Sequence, residues 1–175
     1  GVEDRFFEGN IAAWQALEDA YQAGQIRAIG LSNFQQVDID NILSACKVKP
    51  MVNQILAHVT NVPSDLIEYS QSKGMLVEAY SPVGHGELFK NQQLLAMAEQ
   101  YGVSLPQLCI RYTLQLGLLP LPKTANPAQR RTTPIASACV ASPGLILPVK
   151  YAIGTPRIIP NRTAPPISQV AAENI

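Results

Sequence analysis

The sequence predicts an α/β fold in which parallel strands alternate with helices. Between positions 26 and 123, four short apolar runs are separated by segments with apolar residues at spacings of three and four. Each run ends abruptly in polar residues: Ser32-Asn33, Asn53-Gln54, Tyr80-Ser81 and Lys123-Thr124 in turn. The first run, 26–31, is apolar apart from Arg27, which suits a parallel strand buried on both faces. Four βα units make either half of an eightfold barrel or a small open sheet. Polar groups at all four strand ends favour the barrel, because an open doubly wound sheet gathers its ligand groups at one switch point.

Taken in order, the first helix is predicted over 10–24. Asn10 can cap it, and Ile11, Trp14, Leu17, Ala20 and Tyr21 form its apolar face. Gly24 suits the left-handed residue after its end. A strand over 26–31 and a helix over 36–46 follow, the helix with Val37, Ile39, Ile42, Leu43 and Cys46 inward. Pro50 opens a strand at 51–54, and a non-periodic loop covers 55–63. Ser64 can cap a helix through Lys73 that stops at Gly74. The strand at 75–82 is interrupted by Glu78, which reads as a paired structural acid whose partner the sequence does not show. A glycine-bearing loop, "VGHGELFK", leads to a helix at 91–101 with Leu94, Leu95, Met97 and Ala98 inward. Gly102 breaks it. Ser104 caps the next helix, to about 116, with Pro106 in the first turn where a missing N–H costs nothing. "GLLPLPK" is the last short strand.

The 175 residues suffice for one domain with a real core. Net charge is zero, so no overall field calls for nucleic acid or an anionic membrane. No run reaches the roughly 18 consecutive apolar residues that a spanning helix needs. The N-terminus lacks a basic-then-apolar signal. Cys46, Cys109 and Cys139 have neither metal nor redox spacing and read as reduced, structural and cytoplasmic. The chain opens abruptly before a helix, as though it began inside a domain. Residues 1–129 hold 8 Lys+Arg and 12 Asp+Glu, a net of −4, whereas 130–175 hold five basic residues and one acid, a net of +4. The latter segment also holds 7 of the 14 prolines. Two domains of composition are therefore expected, 1–129 and a Pro-rich tail at 130–175 that is irregular, with at most a short strand near 145–153.

Each strand end carries a candidate site. Ser32 and Asn33 can bond a ligand amide or cap the following helix. Gln54 can read a carboxamide, since it offers both a donor and an acceptor, or it can face water. Tyr80 can stack on a flat heterocycle while Ser81 and the glycines at 84 and 86 approach a phosphate, or the segment is an ordinary turn. Lys123 and Thr124 suit a phosphate monoester, or Lys123 is simply solvated. His58 and His85 are the only histidines, without paired carboxylates, so no metal site is expected. No Ser/His/Asp or Cys/His set converges, and no pair of carboxylates sits at strand ends.

Taken together, four stretches resemble the aldo-keto reductase family. "LEDAYQAGQIRAIGLSNF" is similar to the family's signature at its fifth strand, through Leu17, Arg27, Ile29, Gly30, Leu31, Ser32, Asn33 and Phe34. "KPMVNQ", "VEAYSPVGHG" and "LPKTANPA" resemble its sixth, seventh and eighth strands, in order, and the likeness covers roughly 11–128. The resemblance implies a (β/α)8 barrel, of which this chain has about strands 5–8 with their helices, and NADPH-dependent reduction of aldehydes or ketones to alcohols. It implies that Ser32, Asn33 and Gln54 hold the nicotinamide carboxamide and that Tyr80 stacks on the ring. Ser81, Val83 and His85 would line the pyrophosphate, and Lys123 and Thr124 would bind the adenosine 2′-phosphate. The family's catalytic Asp, Tyr, Lys and His belong to its first four strands, upstream of Gly1, so no catalytic residue is expected here. Tyr80 cannot replace the missing tyrosine, because its place is on the nicotinamide face. The expected partners are a small carbonyl substrate and either the missing N-terminal half or a second copy. The alternatives are a non-catalytic nucleotide-binding or assembly half-barrel, and a fragment without function. The likeness departs at Gln129, where the family has a basic residue. Arg131-Thr132-Thr133-Pro134 can be back-translated one base earlier to give Asn-Asn-Thr, which is family-like. The tail is thus hypothesised to be a frameshifted reading; an intact frame in the source gene, with no family-like peptide in the other frame, would sink this.

Overall fold

The computed structural model describes residues 6–123. The tail at 130–175 and Thr124 lie outside the described residues. The described residues divide into two compact units, one of residues 6–55 and 63–78, the other of 56–62 and 79–123. Four strands, β1 (Gly30–Ser32), β2 (Val52–Leu56), β3 (Leu76–Tyr80) and β4 (Leu119–Leu121), form one sheet in the order β1-β2-β3-β4. Five α-helices are described: α1 (Phe7–Gln22), α2 (Gln36–Ala45), α3 (Ser64–Ser72), α4 (Gln92–Gln100) and α5 (Leu105–Gln115). Every predicted strand and helix of 10–123 is present, and consecutive strands are joined through helices.

The first unit differs from expectation in where its elements begin and which way they face. α1 starts at Phe7, so Asn10 lies inside it and caps nothing. Glu8 in the first turn complements the helix dipole instead. Leu17, predicted inward, is 40% exposed, and the next residue, Glu18, is buried in its place. The reason is the chain after α2. Its backbone N–H groups at Lys47 and Val48 donate to one Glu18 carboxylate oxygen at 2.6 and 2.7 Å. The Trp14 indole N–H donates to the Val48 carbonyl at 3.1 Å. Backbone donors turned from solvent toward α1 need an acceptor, and a polar side chain at this point of α1 supplies one. In α2, Val37 is also exposed, since Ile39 and Ile42 take the inward stripe. Ser64 is the first residue of α3, which is preceded by Pro63 rather than capped by Ser64. Gly24 and Gly74 both adopt positive φ just past helix ends, as predicted.

β1 begins only at Gly30, later than the predicted 26, and alternates in burial rather than being covered on both faces. It stands at one end of the strand order, so only Leu31 turns to the core. β1 and β2 pair in parallel with Gly30 opposite Val52, Leu31 opposite Asn53 and Ser32 opposite Gln54. Glycine is needed at position 30 because a Cβ there would meet the Val52 Cβ and carbonyl oxygen at 2.9 Å. Gly30→Ala is therefore expected to cost about 1–3 kcal/mol, since the backbone oxygen cannot step aside. A fall in the urea midpoint with unchanged slope would record it; an unmoved midpoint would show that the strands part freely.

In the second unit the core gathers Val59, Leu88, Leu94, Met97, Ala98, Leu105, Leu108, Cys109 and Tyr112. Of the four residues of α4 predicted inward, Leu94, Met97 and Ala98 are buried and Leu95 is half-buried against the same core. Asn91 caps α4 by accepting from the N–H groups of Gln93 and Leu94 at 3.0 and 3.1 Å. Ser104 and Gln107 form a reciprocal capping box on α5, with Pro106 in the first turn. Burial pushes the Cys109 thiol up to about 11, as for a protonated structural cysteine.

Candidate functional site

Strand alternation sorts the polar residues at the strand ends. Asn53 and Gln54 are neighbours in sequence but turn to opposite faces. Asn53 is fully buried, and its amide donates to the Phe34 carbonyl at 3.1 Å and the Ser70 hydroxyl at 3.3 Å. It therefore fastens the segment after Ser32-Asn33 onto α3 and is not open to a ligand. Gln54 turns to the other, half-open face. The strand also continues to Leu56, two residues past the predicted end.

In the first unit, Ser32, Gln54 and Glu78 form a row across three strands. Ser32 lies opposite Gln54 in the β1–β2 register. The Gln54 side-chain N–H₂ donates to a Glu78 carboxylate oxygen at 2.8 Å. Glu78 is thus paired, as predicted, and its partner is the candidate Gln54. The alternation of buried Val77 and Ala79 with half-open Glu78 and Tyr80 was the signal that could have matched Glu78 to Gln54. Asn33 has φ of 58°, a left-handed conformation that Asn tolerates better than most residues. Its N–H donates to the Gln54 carbonyl at 2.9 Å, and its side-chain amide reaches the Ser32 hydroxyl at 3.5 Å. α2 is capped by Gln35 and Asp38 in a capping box. The capping alternative for Ser32 and Asn33 therefore falls away, and both side chains stay exposed.

In the second unit, Tyr80 ends β3 and is half-buried. The chain then turns sharply. Ser81 has φ of 52° directly before Pro82, and Gly84, His85 and Gly86 have φ of 56°, 51° and 90°. Positive φ at a serine preceding proline is strained backbone, a feature that concentrates at ligand sites. The Ser81 hydroxyl and His85 Nε2 are 2.8 Å apart. Within this turn the Gly84 and Gly86 N–H groups donate to the Ser81 and Val83 carbonyls at 2.8 and 3.3 Å. Gly84 also makes room for the Leu88 side chain, which a Cβ there would meet at 2.8 Å. Lys123, at the end of the described residues, is exposed. Among the described residues no three His, Cys, Asp or Glu side chains cluster as metal ligands, and no helix is long and apolar enough to cross a membrane.

His58 belongs to the same unit, with its Nδ1 at 3.1 Å from the Thr60 hydroxyl. Burial, and then the nearby His85, lower its pKa from 6.5. The unfolded chain therefore takes the proton first. The stability His58 contributes is fully present above 6.5 and is lost as pH falls toward its folded-state value. Thermal unfolding midpoints measured across this range are expected to fall with pH, and His58→Asn to flatten that fall. An unchanged pH profile in the variant would remove His58 from the account.

The aldo/keto reductase family model matches residues 9–139, running past the change in composition at 129. An uncharacterized oxidoreductase of Schizosaccharomyces pombe is 45% identical over 118 residues, which are 67% of this chain and 43% of that protein. The glyoxal reductase of Bacillus subtilis is 40% identical over 111 residues, covering 63% of this chain and 40% of the relative. Among solved structures, an aldo-keto reductase of Bombyx mori in complex with NADP superposes with a TM-score of 0.60 at 36% identity, over 71% of this chain and 42% of that one. The chain thus spans about two fifths of the length of the curated relatives it matches, 43% and 40% in these two.

Proposed function

Since the chain belongs to the aldo/keto reductase family of oxidoreductases, its fold being part of a (β/α)8 barrel, we propose that it carries the NADPH-holding portion of an enzyme that reduces aldehydes or ketones. The observation that carries this reading is the row Ser32–Gln54–Glu78 beside the left-handed Asn33. A hydroxyl that can donate and an amide oxygen that can accept are set on adjacent strands, as a carboxamide requires.

The donor set fits the cofactor. Ser32, Asn33 and Gln54 hold the nicotinamide carboxamide, and Tyr80 covers the ring. Ser81, Val83 and His85, with the positive-φ backbone between them, line the pyrophosphate. Lys123 and Thr124 take the 2′-phosphate, a dianion that a cation and a hydroxyl suit; Thr124 contributes by sequence position. NADPH, when bound, supplies a hydride to the carbonyl carbon. The chain's own residues bind and orient the group that delivers it. Among the described residues we assign none to the role of the family's proton donor. The chain by itself is expected to bind NADPH without reducing a carbonyl.

Titrating NADPH while following emission from Trp14 and the tyrosines tests the binding. Loss of NADPH absorbance with a generic aldehyde tests the turnover. Saturable quenching without aldehyde-dependent oxidation is the expected pair of results. Turnover would overturn the assignment of no catalytic residue, and absence of quenching would overturn the cofactor reading.

A further inference from the structure

We infer that Glu78 is a positioning residue that makes the site select a ligand amide over a ligand acid, an inference resting on the cofactor reading above. The amide of Gln54 is symmetric in shape, and either end could face the ligand. Glu78 removes that choice. A carboxylate accepts hydrogen bonds and cannot donate them, so the end of Gln54 that meets it at 2.8 Å must be the N–H₂. Both residues lie half-open on one face of adjoining strands, β2 and β3. The Gln54 oxygen is therefore the end left for the ligand, and an oxygen can only accept.

The consequence is a polarity. Beside Gln54 stands Ser32, directly opposite in register, with a hydroxyl free to rotate and donate. A nicotinamide carboxamide, with one N–H₂ and one C=O, satisfies both. A nicotinate carboxylate meets donors at Ser32 and Asn33 but leaves the Gln54 oxygen without a donor, and it brings two oxygens toward that oxygen and the negative charge of Glu78. An unpaired acceptor facing another acceptor forfeits the hydrogen bond and adds repulsion. Discrimination of about tenfold or more between the two ligands is expected from these effects.

Glu78→Gln is the informative change. The introduced amide can still accept from Gln54, and it can also donate to it. Gln54 is then free to turn its N–H₂ toward the ligand. The variant should keep its affinity for NADP within about threefold, a change of under 1 kcal/mol, and should gain affinity for the nicotinic acid analogue. Calorimetric titration of wild type and Glu78→Gln with NADP and with nicotinic acid adenine dinucleotide phosphate reads both. Thermal unfolding checks that the variant is folded. Glu78→Asp, which keeps the charge on a shorter stem, offers a second folded variant if Glu78→Gln is not. It should weaken NADP while still rejecting the acid.

Preference for NADP in the wild type, reduced in Glu78→Gln, is the expected outcome. A Glu78 that merely stabilised the sheet would weaken both ligands in parallel and leave their ratio unchanged, which would overturn the inference. So would equal affinity of the wild type for the two. Failure of the wild type to bind NADP at all would overturn the cofactor reading itself, and this inference with it.

Discussion

Glu18→Ala is expected to remove about 3–5 kcal/mol of stability, because two part-buried backbone donors lose a shared acceptor at once. Both the Lys47 and Val48 N–H groups point at the same Glu18 oxygen, at 2.6 and 2.7 Å, and Glu18 is only 2% exposed. Against a typical total of about 5–15 kcal/mol, the loss is large enough to leave much of the chain unfolded at moderate temperature. Glu18→Gln separates the charge from the hydrogen bonds. One amide oxygen can still accept from both N–H groups, so its cost should be roughly half or less, near the difference between charged and neutral acceptors. Denaturant midpoints for the two variants check this. Equal losses would mean that the charge, and not the shared oxygen, holds the segment.

Gln54→Leu is expected to weaken NADPH binding by about tenfold or more, the value of one or two unmade hydrogen bonds. Leucine keeps the bulk and suits a strand, so β2 should persist. The loss is chemical: the acceptor for the ligand N–H₂ disappears and Glu78 is left without the Gln54 donor it now has at 2.8 Å. That stranded carboxylate also lowers stability, though by less than the Glu18 change, because Glu78 is half-open to water. Dissociation constants from fluorescence titration, with unfolding midpoints beside them, separate the two effects. Unaltered affinity would place the carboxamide elsewhere.

What was legible in the sequence was the local physics. Gly24, Gly74 and Gly102 stop helices through positive φ, and Ser104 with Gln107 starts one. The apolar stripe Leu94, Met97 and Ala98 faces the core because three-and-four spacing alone fixes it. What was illegible depended on partners far along the chain. Leu17 and Glu18 differ by one step of helical rotation, and the choice between them is made by N–H groups 29 and 30 residues away. Likewise, "NQ" at 53 and 54 reads as one polar end, but the pleat sends Asn53 into the core, where Phe34 and Ser70 receive it. The candidate residues Ser32, Asn33 and Gln54 were legible as chemistry. Their alignment, and Glu78 as the partner that orients Gln54, required the register of three strands.

We propose that Ser32, Asn33 and Gln54 grip a nicotinamide carboxamide. Titration of the isotopically labelled chain with NADP, followed through the side-chain amide resonances of Gln54 and Asn33 and the backbone amide of Ser32, tests it most directly. These resonances are expected to move together and to saturate at one equivalent of cofactor. Saturable binding that leaves all three unmoved, or no binding at all, would contradict it.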